Sequence, residues 1–173
     1  MMDLRKHVFI EVAEEVLEVK LPQSYCFFLE KFGSAVIDGY QLYGIPTKEV
    51  KTSVIEATLS LRKKRPDLPK SLVAITESDG RILCLNTQQI EKDDCFLVDV
   101  SLNDQNDYQI NETFDNYIKH HLKTEKRFDI AYKRVLEKRK EQKKRKNREF
   151  GNKEGVKLRP HDWHTIISEI QDH

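Results

Sequence analysis

The histidines are the side chains of this 173-residue sequence best suited to metal binding or acid–base chemistry, and their spacing supports neither. His161 and His164, with Asp162 between them, offer two ligands at i, i+3 and one carboxylate, but no fourth ligand accompanies them. We interpret them as polar residues at the start of a helix. His120 and His121 are adjacent, so a helix would turn them to different sides. The sequence therefore predicts no metal site and no catalytic histidine pair.

The three cysteines, Cys26, Cys84 and Cys95, each lie inside an apolar run. A cysteine nucleophile acts as an accessible thiolate, so we interpret all three as packing residues. An odd number of cysteines without paired or metal-type spacing favours reduced thiols and a cytoplasmic location. The six glycines are scattered, and no glycine-rich turn that could hold a phosphate joins a strand to a helix. The sequence predicts no enzyme and no cofactor.

The N-terminal twenty residues contain no uninterrupted apolar segment, because glutamates recur through them. These are Glu11, Glu14, Glu15 and Glu18. We therefore predict neither a signal peptide nor a membrane span.

Charge is distributed unevenly along the chain. Residues 1–118 contain 13 Lys or Arg and 20 Asp or Glu, a net charge of −7, whereas residues 119–159 contain 17 and 6, a net charge of +11. Residues 160–173 carry −3. An acidic body thus carries a basic extension, and such asymmetry bears on the choice of partner rather than on the fold.

An acidic loop, Glu91, Asp93 and Asp94, precedes a predicted strand, and Asp99 lies on that strand. Taken singly, these are ordinary solvated carboxylates. Together with the acidic body they predict a surface that attracts a basic partner and speeds its association. We take these four residues as the candidate partner-binding residues.

A basic run, Lys143, Lys144, Arg145 and Lys146, lies in a stretch from 137 to 149 that has no apolar residue. Such a run can contact nucleic-acid phosphates, but no aromatic side chain stands among the charges for bases to stack on. We therefore keep nucleic-acid binding as an alternative and expect a solvated helix face.

The clearest structural element is residues 21–33. Four apolar side chains recur there at i, i+3, i+4 and i+7, which predicts one buried helix face. They are Tyr25, Phe28, Leu29 and Phe32. Pro22 favours a helix start with Gln23 or Ser24 as the N-cap, and Gly33 directly after the last apolar position predicts the C-terminal end.

Other elements flank this helix. An apolar stripe from Val8 to Leu17 predicts a preceding helix, and residues 35–44 predict either a strand pair around Asp38–Gly39 or one bent strand. Residues 53–64 predict a further helix. Two β-rich runs, 72–76 and 81–87, meet at Asp79–Gly80, which is a strong hairpin signal. Since both runs are apolar on both faces, we expect both strands to lie centrally in the sheet.

A strand over 96–100 and a helix containing Phe114, Tyr117, Ile118 and Leu122 complete the pattern. Helices followed by antiparallel strands and a helix indicate an α+β fold, with a central mainly antiparallel sheet flanked by helices. We expect one such domain over residues 1–123. Residues 124–173 are expected to form a basic helical C-terminal extension that ends in a short helix containing Trp163.

Several of these residues together resemble the signature of the SUKH superfamily, which comprises bacterial immunity proteins and fungal regulators of cell-wall synthesis. The matching segments are Leu21-Pro22, the Y-x-x-F-L helix Tyr25–Leu29, Phe32-Gly33 and the Gly-x-x-Leu-Tyr-Gly segment Gly39–Gly44. The likeness covers about residues 9–122. Where the family usually has Cys-Leu-Asp, this chain has Cys84-Leu85-Asn86.

The resemblance implies a non-catalytic immunity protein that binds and neutralises a cognate toxin, with a nuclease as the expected class. One alternative is an interaction or scaffold protein of a cell-wall-synthesis or signalling network. Another is nucleic-acid binding through the basic run.

Overall fold

A computed structural model describes residues 4–37 and 39–122, together with Glu137, Lys140 and Glu141. Four helices and six strands account for the regular structure of residues 4–122 as described. In order these are α1 (Leu4–Leu17), α2 (Gln23–Phe32), β1 (Ala35–Ile37), β2 (Tyr40–Leu42), α3 (Val54–Lys64), β3 (Leu72–Ser78), β4 (Arg81–Glu91), β5 (Asp94–Ser101), β6 (Tyr108–Thr113) and α4 (Phe114–Leu122). The predicted α+β fold is confirmed.

The strands form two antiparallel sheets. One is the hairpin of β1 and β2, and the other has four strands in the order β3-β4-β5-β6. The prediction that β3 and β4 both lie centrally is wrong for β3, which is at the edge. Helices cover both faces of β3, and beyond its outer edge the N–H of Tyr43 donates to the carbonyl of Ile75 at 2.7 Å. Strand β6 was not predicted, because its sequence is mainly polar. Its residues are exposed or half-buried in the structure.

Two apolar clusters lie on the two faces of the four-stranded sheet. Alternate residues of the strands enter different clusters, as the two-residue period of a strand requires. The larger cluster joins α1, α2 and α4 to Val73, Ile75, Leu85, Cys95 and Leu97. The smaller cluster joins Ala57 and Leu61 of α3 to Leu72, Ala74, Ile82, Cys84 and Val100. The sheet is therefore sandwiched between helices.

Helix α2 is the centre of the larger cluster, as the sequence predicts. Tyr25, Phe28 and Leu29 are fully buried. The rings of Tyr25 and Phe28 lie 5.1 Å and 5.9 Å from the ring of Phe114, both edge-on. Contacts of this geometry between buried rings add to the hydrophobic stabilisation. These three rings thus fix the position of α4 relative to α2.

The two ends of α2 are held differently. Gly33 ends the helix with a φ of 75°, as predicted, and its N–H donates to the carbonyl of Leu29 at 2.9 Å. The predicted N-cap is wrong: Pro22 occupies that position and has no side-chain cap. Instead, the N–H of Ser24 donates to the carbonyl of Asp93, 3.1 Å away on another part of the chain.

Gly44 closes the segment that passes over the end of α2. A Cβ atom at this position would lie 1.9 Å from the carbonyl oxygen of Gly33. That oxygen also accepts the N–H of Ile45 at 2.9 Å. The last glycine of the Gly-x-x-Leu-Tyr-Gly segment is therefore required by close backbone contact.

A buried arginine anchors the chain after α3. Helix α3 begins with a capping box between Ser53 and Glu56 and ends at Arg65, which is 8% exposed. The guanidinium donates to the carboxylates of Asp67 and Asp107, each at 2.7 Å, and to the carbonyl of Ser101. Its hydrogen bonds hold the pKa of Asp107 below the usual value. This network ties the end of α3 to the β5–β6 loop.

Several predictions lie outside the described residues. They concern the extension 124–173, the helix containing Trp163, and the pair His161 and His164. Glu137, Lys140 and Glu141 are helical and exposed. In the part of the chain that the structure describes, every helix is too short or too polar to cross a membrane.

Candidate partner-binding surface

The four predicted partner-binding carboxylates lie in two places rather than one. Glu91, Asp93 and Asp94 are at the turn between β4 and β5, where Lys92 and Asp93 both have positive φ, as in tight hairpin turns. Asp99 is five residues further along β5, about 16 Å away at the usual rise of a strand. The turn and the far end of β5 are therefore separate parts of the surface.

Asp94 holds the starts of two helices. Its Oδ1 accepts the hydroxyl of Ser24 at 2.7 Å, at the start of α2, and its Oδ2 accepts the N–H of Asp115 at 3.2 Å, at the start of α4. It also accepts the N–H of Cys95 at 2.9 Å. A carboxylate at helix N-termini satisfies unpaired N–H groups and favours the helix dipole. Asp94 thus has a structural function.

The other two carboxylates of the turn belong to Glu91, which is exposed, and Asp93, which is half-buried. The side chains of Glu91 and Asp93 make no hydrogen bond or ion pair within residues 4–37 and 39–122. They are available to a partner without cost to the fold.

Substitutions at the neighbouring residues Asp94 and Asp93 distinguish a structural carboxylate from one that is available to a partner. We expect Asp94→Ala to destabilise the protein by about 1 to 3 kcal/mol, since it leaves the hydroxyl of Ser24 and the N–H of Asp115 without their acceptor. Asp93→Asn should change the unfolding free energy by less than about 0.5 kcal/mol, because asparagine tolerates positive φ. Urea denaturation measures both. Equal effects would contradict the structural function of Asp94.

Asp99 lies at the far end of β5 in a polar cross-strand cluster. Its Oδ1 accepts Nε of Arg81 at 2.7 Å, and its Oδ2 accepts the hydroxyl of Tyr108 at 3.0 Å. The guanidinium of Arg81 also lies over the ring of Tyr108, 5.2 Å from its centre. The hydrogen bond with Asp99 raises the pKa of Arg81. Asp99 therefore orients an arginine rather than standing alone as a surface charge.

A groove of about 300 Å³ opens beside this cluster. We call it the tyrosine groove. Its lining residues come from β2, β3, β4, β5, α4 and the turn between β3 and β4: Tyr40, Thr76, Ser78, Asp79, Arg81, Leu83, Asp99 and Tyr117. Tyr40 is 47% exposed, and Tyr108 at the edge of the cluster is 50% exposed.

The position of Thr76 in the tyrosine groove depends on an irregularity in β3. The pairing with β4 shifts between Ala74 and Thr76, so that Ile75 is an extra residue and both Ile75 and Thr76 point to the same face. Ile75 enters the larger core, and Thr76 lines the groove. Thr76 is only 9% exposed, and its hydroxyl has no hydrogen-bond partner within the described residues.

Sequence reasoning found one residue of this groove, Asp99, and missed the tyrosines. Tyr40, Tyr108 and Tyr117 are 68 and 9 residues apart in the chain. Only the folding of a hairpin, an edge strand and a helix around one end of the sheet brings them together. The sequence signal for this surface was the presence of tyrosines in mainly polar segments.

A second concavity, of about 380 Å³, lies on the opposite face of the sheet beside α3. Its charged lining residues are of both signs: Lys51, Glu56, Lys64 and Glu77. Glu56 already serves the capping box of α3. This concavity has one aromatic residue, Tyr43, and so differs in character from the tyrosine groove.

The cysteines and described histidines have ordinary structural surroundings. All three cysteines are buried, as predicted, and none forms a disulfide within the described residues; burial raises the pKa of Cys95 to about 12 and that of Cys84 further. His120 contacts Glu112, whereas the ring of His121 lies 4.5 Å from that of Tyr117. No group of potential metal ligands occurs within the residues that the structure covers. The basic run Lys143–Lys146 lies outside them.

The family model SUKH_5, described as SMI1-KNR4 cell-wall, matches residues 1–123. No curated protein matches the chain.

Proposed function

Because the chain belongs to the SUKH_5 family of SMI1-KNR4 cell-wall proteins, we propose that it is a non-catalytic immunity protein that neutralises a cognate toxin by binding it. A nuclease is the expected toxin class, since such enzymes present cationic surfaces to phosphate and this chain has an acidic body. The protein acts by covering the toxin's active site. It needs no cofactor and acts in the cytoplasm, where its three thiols stay reduced.

The composition of the tyrosine groove carries this proposal. Tyrosine and arginine are the residue types that contribute most binding energy at protein interfaces, especially where rigid neighbours hold them. Here Arg81 is fixed by Asp99 and Tyr108, and Tyr40 stands half exposed beside it. A rigid, aromatic and charged concavity at one end of a sheet suits a protein partner.

The four carboxylates have different parts in this proposal. Glu91 and Asp93 form an acidic rim at the β4–β5 turn that steers a basic partner and mainly raises the association rate. Asp94 keeps that turn attached to α2 and α4. Asp99 acts within the groove by holding Arg81. The basic extension 124–173 is an appendage that the docking does not require.

One alternative function rests on the family description, which names the cell wall. A scaffold protein of a wall-synthesis or signalling network would use the same groove for a resident partner of the cell. It would not protect against a toxin.

Co-expression with the toxin domain encoded beside the gene tests the proposal. The wild-type chain should restore growth, and Tyr40→Ala combined with Tyr108→Ala should reduce protection. Glu91→Lys with Asp93→Lys should slow association, more strongly at low salt. Neutralising Lys143, Lys144, Arg145 and Lys146 to glutamine should leave protection intact. If the chain instead binds nucleic acid, the same variant should flatten a steep salt dependence of RNA or DNA binding.

Two outcomes would contradict the proposal. Full protection by the tyrosine variant, together with failure of the glutamine variant, would place docking on the basic run. Growth arrest in the presence of the folded wild-type chain would reject the immunity function and favour the scaffold alternative.

A further inference from the structure

Arg81, which lines the tyrosine groove, shows how a guanidinium group is held beside it. This group lies over the ring of Tyr108, 5.2 Å from its centre, and pairs with Asp99 at 2.7 Å. An aromatic face and a carboxylate together stabilise a planar cation, because the ring attracts it electrostatically and the carboxylate accepts its N–H groups. The same two kinds of group occur again in the groove, at Tyr40 and Asp79.

The charge of the groove favours a second cation. Arg81 is neutralised by its ion pair with Asp99. Asp79 is exposed, and within the described residues its carboxylate accepts only the hydroxyl of Ser78, at 2.9 Å. The three charged side chains that line the groove therefore sum to −1. Asp104 adds a further negative charge near Arg81.

Thr76 supplies an unused acceptor at the wall of the groove. It is nine-tenths buried, and its hydroxyl has no partner in residues 4–37 and 39–122. A buried hydroxyl without a hydrogen bond costs free energy, which a ligand donor can recover. Because the oxygen itself has almost no accessible surface, a donor in the groove reaches it when the Thr76 side chain rotates toward the groove.

The size of the groove suits a side chain. Its volume of about 300 Å³ is at the lower end of the range, roughly 300 to 1,000 Å³, that holds small molecules. It is open at one end of the sheet, so a loop of a larger partner can reach it.

We propose that the tyrosine groove binds an arginine side chain of the partner, with the guanidinium against the ring of Tyr40 and paired with Asp79. Tyr117 and Thr76 line the same groove, and the hydroxyl of Thr76, once rotated toward the groove, accepts an N–H of the bound group. The inference rests on the proposed function only in that the arginine belongs to a toxin.

Peptide titration followed by NMR of the tyrosine rings tests the inference without a toxin. The probe is acetyl-Gly-Arg-Gly-amide, and its control carries citrulline, which has nearly the same shape but no charge. We expect saturable shifts of the Tyr40 ring resonances with the arginine peptide alone. A lysine peptide should bind more weakly, because its ammonium group is compact and does not stack.

Matched variants locate the binding. Asp79→Asn, which tolerates the positive φ of 51° at this position, should weaken binding by about fivefold or more. Glu77→Gln removes the same charge two residues away, on the opposite face of β3, and should leave the affinity unchanged. Tyr40→Phe should keep most of the affinity and Tyr40→Leu should lose it, because the attraction comes from the ring.

Three results would overturn the inference. They are equal shifts with the citrulline peptide, equal affinity of the Asp79→Asn variant, and binding seen only after Lys143, Lys144, Arg145 and Lys146 are changed to glutamine. The last would show that the chain's own basic run occupies the groove. If the protein binds the arginine peptide selectively but gives no protection, only the toxin partner is rejected. If it protects but does not distinguish the arginine peptide from the citrulline peptide, only the arginine site is rejected.

Discussion

Phe28→Ala is expected to lower the unfolding free energy by about 3 to 5 kcal/mol, the range for deleting a large buried aromatic side chain. Phe28 is fully buried in α2, and its ring contacts three others. The ring centres of Tyr25, Phe32 and Phe114 lie within 5.8 to 5.9 Å of it. Since the whole stability of a domain is about 5 to 15 kcal/mol, most of it would be lost. Thermal and urea unfolding measure the change.

An exposed leucine in the same helical layer provides the control for Phe28. Leu4 in α1 is 75% exposed, so Leu4→Ala should change the unfolding free energy by less than about 0.5 kcal/mol. If Phe28→Ala unfolds within a degree or two of the wild-type protein, α2 is not the centre of the core, and the account of the fold is wrong.

The second large effect is expected at Arg65. Arg65→Met keeps much of the side-chain volume but leaves the carboxylate of Asp107 without its cationic partner and the carbonyl of Ser101 without the guanidinium donor. Removing one partner of a buried ion pair leaves an uncompensated charge, which costs about 3 to 5 kcal/mol when burial is complete. Because the side chain of Asp107 is 22% exposed, we expect about 2 to 4 kcal/mol here.

The pH dependence of stability provides a second measure of this ion pair. Hydrogen bonds from Arg65 lower the pKa of Asp107, so the folded state binds a proton less readily than the unfolded chain. The contribution is therefore fully present above the unfolded value, about 4, and is lost as the pH falls through the folded pKa. Arg65→Met should remove this part of the acid destabilisation.

Arg62→Met serves as the control, because within the described residues the hydrogen bonds of Arg62 go to the carbonyls of Leu17 and Lys70 rather than to a carboxylate. It should cost less than Arg65→Met and should leave the acid dependence unchanged. Equal losses for the two variants, with equal acid dependence, would mean that Arg65 contributes only packing.

The features that were predictable from the sequence depend on neighbouring residues. The apolar face of α2 follows from the spacing of Tyr25 to Phe32, and its end at Gly33 follows from backbone freedom. The hairpin at Asp79–Gly80 follows from turn chemistry, and both residues have positive φ. Each of these features is determined by residues that lie close together in the sequence.

The features that were missed depend on contacts between distant residues. The hydroxyl of Ser24 suits an N-cap by its type, but it donates to Asp94, seventy residues away. The apolar residues of β3 predict burial of both its faces. They do not show whether the strand lies between two other strands or at an edge of the sheet. Counting charges located an acidic body but could not show that Asp99 pairs with Arg81 or Asp107 with Arg65.

The tyrosine groove lay beyond sequence reasoning for the same reason. Tyr40, Arg81 and Tyr117 belong to three different elements, and each is unremarkable within its own segment. The displacement of Thr76 onto the groove face depends on the bulge at Ile75, which has no sequence signal of its own. The surface exists only once the sheet is assembled.

The most direct test of the immunity function is a titration of toxin activity with the purified chain. A non-catalytic inhibitor that covers the active site removes activity linearly, with an end point at one equivalent of folded protein. The end point should persist when the basic run is neutralised and should be lost for Tyr40→Ala combined with Tyr108→Ala. Inactivation by a small fraction of an equivalent would instead show turnover, and unchanged activity at excess chain would show that this toxin is not its partner; either result contradicts the proposed function.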